Sequence, residues 1–308
     1  MKKLICIISA FLLVNCSNSK KEIITAPGWQ KGDLRHIKTN MMGFVKVKDD
    51  TLANLHDENT YSFKVVDVSK DFYTVELKNI SKSETDYTFN IDTIEDEHNK
   101  MITFLHSFKK IPVSFKLKLS KSGSIIEIVD WELVLDKFIT RFIKMADSLN
   151  LPKQDQEYVE QFYPTSFVSE AYLREALISE LSEYLDFYNK KLPTDDSIAT
   201  EKHDFYDPFT NRIIDAKLIY EISSIKNGIY TVKGRDEFDE DDLINHDDYL
   251  DNFFNDNEAK TKLSMRLERY LTFYWNSNTS WIDSTFIYSS QIRDTFESRE
   301  EINAIVIK

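Results

Sequence analysis

Between Gly43 and Ile128 apolar and polar residues alternate, as in Tyr61-Ser62-Phe63-Lys64-Val65, Phe72-Tyr73-Thr74-Val75-Glu76-Leu77 and Val113-Ser114-Phe115-Lys116-Leu117-Lys118-Leu119. A period of two sends successive side chains to opposite faces of a strand, so these runs predict antiparallel strands with one face buried and the other wet. Ser69-Lys70-Asp71 and Lys121-Ser122-Gly123 fall between paired runs and predict hairpin turns. The stretch reads as a meander of five or six strands.

After Asp130 the period becomes that of a helix. Leu133, Phe138, Ile139, Phe142, Ile143, Ala146 and Leu149 share one face up to the stop at Leu151-Pro152. A second long helix is predicted over Ser166 to Lys190, on the series Leu173, Leu177, Leu181 and Leu185, with Pro193 and Asp195-Asp196 ending it. Strand patterning resumes at Lys217 to Val232 and continues at Leu271 to Trp275, Trp281 to Tyr288 and Ala304 to Ile307. The run Phe63 to Val75 parallels Tyr220 to Val232 at an offset of 157 residues, and the same offset carries Gly123-Ser124-Ile125 onto Ser280-Trp281-Ile282. A duplicated β-rich unit would produce this match, and so would two unrelated apolar hairpins. The expected fold class is therefore α+β: antiparallel curved β-sheets with packed helices and a candidate duplication. A first β-rich half covers 27–130, a helical segment 131–203, and a second β-rich half 204–308 with an acidic insertion at 236–258.

The N-terminus changes the picture from fold to location. Lys2 and Lys3 precede an apolar run from Leu4 to Val14, and Cys16 follows at once. The run has the length of a signal-peptide core and is too short to span a bilayer, which takes roughly 20 apolar residues. Leu13-Val14-Asn15-Cys16 resembles the lipobox of bacterial lipoproteins, with Asn15 where Gly, Ala or Ser is usual. The resemblance implies a signal peptide over 1–15, lipidation of Cys16 and a polar tether over 16–26. No Asp follows the cysteine, which implies an outer-membrane anchor with the domain facing the periplasm. In leader and general organisation the chain resembles the envelope lipoproteins of Gram-negative bacteria.

Charge narrows the partners. Loss of residues 1–15 removes Lys2 and Lys3, taking the formal net charge from −13 to −15. Such a chain has no use for nucleic acid, which demands a basic face, and would be repelled by an anionic membrane surface, so attachment falls to the lipid. Of the two cysteines, Cys6 lies in the leader, and Cys16 alone cannot make an intramolecular disulfide or a cysteine-ligated metal centre. No cofactor is expected.

The familiar catalytic motifs are missing. There is no Gly-x-Ser-x-Gly, His-Glu-x-x-His, phosphate-binding loop or dinucleotide fingerprint, and no catalytic residue can be nominated. The six histidines, His36, His56, His98, His106, His203 and His246, show no metal-ligand spacing. The densest charge runs from Asp236 through Asp239 and Asp241 towards Glu258. A hard cation would suit these oxygens, with Asp236, Asp239 and Asp241 as weak metal candidates, although the spacing is not that of an EF-hand. A solvated acidic loop or a docking surface for a basic partner is the plainer reading. Trp281, flanked by polar residues in Asn278-Thr279-Ser280-Trp281-Ile282-Asp283, is a candidate ligand-lining residue. A strand-rich chain without a visible reactive group points to a non-enzymatic binding or scaffold role, with an apolar small ligand or an envelope protein as partner. The alternative is an envelope hydrolase using dispersed carboxylates.

Overall fold

The computed structural model describes residues 22–47, 50–80, 86–89, 114–148, 169–194, 197–207, 212–238, 266–293 and 296–307. Strands β1 (Glu22–Ile24), β2 (Leu34–Val47), β3 (Asp50–Val68), β4 (Phe72–Asn79), β5 (Asp86–Phe89), β6 (Ser114–Ser120) and β7 (Ile125–Val129) come first. Two helices follow, α1 (Trp131–Ser148) and α2 (Glu170–Leu185). The chain then forms β8 (Lys191–Pro193), β9 (Ala199–Asp207), β10 (Arg212–Lys226), β11 (Ile229–Phe238), β12 (Arg266–Asn276), β13 (Trp281–Arg293) and β14 (Phe296–Ile307).

Twelve of these strands make one antiparallel sheet, in the order β7-β6-β4-β3-β2-β14-β13-β12-β11-β10-β9 with β5 beside β3, while β1 and β8 pair separately. This overturns the α+β expectation: among the described residues the fold is essentially all-β, with only two helices. The physical reason lies in strand length. Alternation marks Tyr61 to Val65, yet β3 runs for 19 residues through the polar His56-Asp57-Glu58-Asn59-Thr60, where ladder hydrogen bonds to β2 hold a segment that its own pattern does not advertise. Two helices against fourteen strands among the described residues are too few to make a helical layer over the sheet. Within α1, Val134 and Phe138 are buried while Leu133 is exposed.

Ring contacts show that the sheet curls. Phe63 on β3 and Trp281 on β13 meet with centroids 5.4 Å apart. Three strand spacings separate β3 from β13, about 14 Å in a flat sheet, so only a concave surface brings the two rings together. Trp29, arriving from the segment between β1 and β2, fills the hollow and contacts Phe63, Tyr73, Tyr188 and Trp281 at 5.0–5.2 Å. Helix α2 plugs the same face with Leu173, Ile178, Leu181, Tyr184 and Leu185, all at most 1% exposed.

The sheet repeats one local design. Val66 is bulged out of the β3–β4 ladder and Ser223 out of β10–β11; Ile126 is bulged out of β6–β7 and Asp283 out of β12–β13. In each pair the second bulge follows the first by the same 157 residues that relate the sequence runs. Backbone groups near two of these bulges find partners on α2 and the turn after it; β7 is an edge strand, so its outward groups have no neighbouring strand. Near the start of α2, the Glu170 carboxylate accepts from the Ile128 N–H at 2.7 Å. In its last turn, the Tyr184 hydroxyl donates to the Ile282 carbonyl at 2.8 Å, and in the turn that follows the helix the Tyr188 hydroxyl accepts from the Ile282 N–H at 3.2 Å.

Candidate functional site

The last turn of α2 carries Glu183, and Asp186 follows it. Acidic groups at a helix C-terminus face the negative end of the dipole and are locally unfavourable. Glu183 is compensated from the sheet: Arg269 on β12 donates from Nη2 to Glu183 Oε2 at 2.8 Å and from Nη1 to Asp236 Oδ2 at 3.1 Å. The other Asp236 oxygen, Oδ1, lies 3.1 Å from His203 Nε2 on β9, out of line for a hydrogen bond. The Asp236 side chain is wholly buried, and that of Arg269 is 15% exposed. Burial works against the Arg269 charge, but Glu183 and Asp236 outweigh it and hold the guanidinium ionised more firmly than usual.

These groups stand along a cleft of about 810 Å³, between the 186–190 turn after α2 and strands β9, β10 and β12. Its lining mixes the carboxylates of Glu183, Asp186 and Glu201 with the cations of Arg269 and Lys190, and with the largely buried Phe187, Leu218 and Leu271. Lys190 Nζ donates to Glu201 Oε2 at 2.9 Å. A smaller hollow of about 450 Å³ over β9, β10 and β11 shares His203 and Asp204 with it.

One wall of the cleft is tied to the start of the fold. Thr25, fully buried, makes four short hydrogen bonds with the turn. Its N–H donates to the Lys190 carbonyl and its carbonyl accepts from the Asn189 N–H; its hydroxyl donates to the Phe187 carbonyl and accepts from the Lys190 N–H, all at 2.8–3.0 Å. At the neighbouring β6–β7 turn, Gly123 has φ +94° and lies so close to Tyr188 that a Cβ there would stand 2.5 Å from the Tyr188 Cβ. Only glycine fits both constraints.

Asp186 is the group whose protonation the site perturbs most usefully. As a residue it keeps contact with solvent, but protein atoms crowd its carboxyl, whose pKa is pushed up to about 6. Burial is the main cause and the Glu183 charge adds to it, against the pull of Lys190 and Arg269. The unfolded carboxyl titrates near 3.8, so between 3.8 and about 6 the folded chain binds the extra proton and stability falls as pH rises through that window. Asp186→Asn is therefore expected to stabilise the fold at pH 7.5, on the order of 1 kcal/mol once solvent screening is allowed for, and to do so far less at pH 3.5. Thermal denaturation at the two pH values checks this; equal shifts at both would remove the Asp186 charge as the cause.

The structure distributes the residues singled out from sequence as follows. Trp281 is 2% exposed and belongs to the aromatic core, with the Arg35 guanidinium 5.1 Å from its ring. Asp236 joins the ion-pair chain with Arg269, whereas Asp239, Asp241 and Cys16 lie outside the described residues. No group of three or more metal-ligating side chains occurs among the described residues. Sequence reasoning missed Glu183, Asp186 and Arg269 and gave His203 no part in a site; the uncompensated acids at the end of α2 were the signal that could have found the first two.

No protein-family model and no curated protein matches this chain. Among solved structures it is similar to an outer membrane channel from Pseudomonas putida F1, at 4% identity over 92% of this chain and 98% of that one. The TM-score is 0.18, and a superposition that poor carries no argument about fold or function. Among the described residues no helix is long and apolar enough to cross a membrane, a statement that leaves strands out of account.

Proposed function

We propose that this chain is an envelope lipoprotein, held by acyl chains on Cys16 in the outer membrane and facing the periplasm, that binds a small polar ligand in the cleft beside α2 without transforming it. The observation that carries the reading is the cleft itself: its volume lies in the range of small-molecule sites, and Arg269, Glu183, Lys190 and Glu201 are fixed in place by their own ion pairs. The concave face of the sheet is filled by Trp29, Phe63, Trp281 and α2, which favours a polar ligand at this cleft over an apolar one inside the sheet. The lipobox-like residues support the anchor. A hydrolase is the second reading, favoured by one observation, the Asp186 carboxyl with its pKa near 6, which suits a general acid.

Native mass spectrometry of the full chain, extracted from its own membrane in mild detergent, tests both parts. The expected mass is that of an acylated chain beginning at Cys16 plus a small adduct, and the adduct is lost in Asp186→Arg, which puts a positive charge at the exposed mouth of the cleft. An unprocessed, unacylated mass would sink the lipoprotein reading. A missing adduct, or one that survives Asp186→Arg, would sink the cleft as the ligand site.

A further inference from the structure

The large sheet has one edge that the described chain leaves open, and we infer that a second copy of this chain covers it: two copies pair antiparallel, β9 against β9, about a two-fold axis at His203. The inference is independent of what the cleft binds. From β7 to β9 the path holds eleven of the twelve strands, β5 lying off it, and each is antiparallel to the next. The two edges therefore run in the same direction and cannot close the sheet by the antiparallel pairing used throughout it.

The chain treats these edges differently. At β7 it supplies its own cover from α2, where the Glu170 carboxylate takes the Ile128 N–H at 2.7 Å and Arg174 Nη2 lies 3.5 Å from the Ile126 carbonyl. Among the described residues no strand pairs with the outer side of β9. That strand also lacks the usual devices against edge pairing: its nine residues include no proline, and it meets β10 in unbroken register, while the β10–β11 and β12–β13 ladders are bulged.

Charge selects the occupant. Lys202 and Asp204 are exposed, on the face of β9 turned away from Glu201 and His203. Inside the chain each stands opposite its own kind, Lys202 against Lys217 and Asp204 against Asp215, an arrangement that weakens a ladder. A two-fold axis normal to the sheet pairs residues of the same face, so the register of two β9 strands must centre on a residue. Centring on Glu201, Lys202 or Asp204 sets a charge against itself. Centring on His203 sets Lys202 of each copy opposite Asp204 of the other, two opposite-charge pairs from one operation. A strand from another protein would need an acid and a base next but one to each other in the reverse order, which the second copy has by symmetry.

Sedimentation velocity of the detergent-extracted full chain tests this, with circular dichroism as the folding control. The wild-type chain is expected to dimerise. Lys202→Glu and Asp204→Lys, each alone, make both contacts repulsive and are expected to raise the dimer dissociation constant at least about tenfold. An equimolar mixture of the two variants restores opposite charges at both contacts and is expected to recover the dimer. A monomeric wild type, a dimer that either single variant retains, or variants that lose the dimer and do not recover it on mixing would each overturn the inference.

Discussion

Replacing Arg269 by methionine is expected to lower the unfolding free energy by about 3–5 kcal/mol, the usual cost of removing one partner of a buried ion pair. The change strands Asp236, whose side chain is wholly buried, with His203 as its remaining neighbour, and it releases Glu183 against the negative end of α2. The loss comes from the abandoned carboxyl more than from the lost attraction, so the double variant Arg269→Met with Asp236→Leu should recover most of it. Arg269→Lys keeps the charge but not the fork that reaches two carboxylates at once, and should fall between. Urea denaturation of the four proteins checks this. A double variant no more stable than Arg269→Met would mean that the pair is not what holds β11, β12 and α2 together.

The second large effect is expected at Trp281. Its ring touches Trp29 and Phe63 on the concave face, and truncation to alanine opens a cavity that a curled sheet with a plug helix cannot readily close. The expected loss is about 3–5 kcal/mol, with a smaller loss for Trp281→Phe, which keeps part of the packing. The near-ultraviolet circular dichroism of the folded Trp281→Ala protein should also change, because the Trp29 ring loses a neighbour at 5.1 Å. A loss below about 1 kcal/mol would show that the ring does not carry the core.

How much of this was legible in the sequence differs from element to element. The hairpins around Ser69-Lys70-Asp71 and Lys121-Ser122-Gly123 stood out because each side alternates and each turn holds residues suited to it. The full reach of β3 did not, since Asp50 to Thr60 is largely polar and is held by its neighbour β2. The pairing of β14 with β2, His36 to Val47 against Phe296 to Ile307, joins the two ends of the described chain, and alternation cannot say which strand lies beside which. Trp281 looked exposed because polar residues surround it in sequence, while curvature brings Trp29 and Phe63 over it in space. The candidate cleft draws on α2, β9, β10 and β12, so no local window contains it, and its one local trace was a helix whose last turn holds Glu183 and nothing basic.

The ties between Thr25 and the 186–190 turn have a mechanical side. With the anchor proposed at Cys16, five residues, at most about 18 Å of extended chain, separate the acylated cysteine from β1. Any drag on the domain relative to the bilayer therefore enters through three residue pairs between β1 and β8 and the Thr25 hydrogen bonds, before it reaches the twelve-stranded sheet. The large sheet is shielded from the load, and the rim of the cleft is where it is felt.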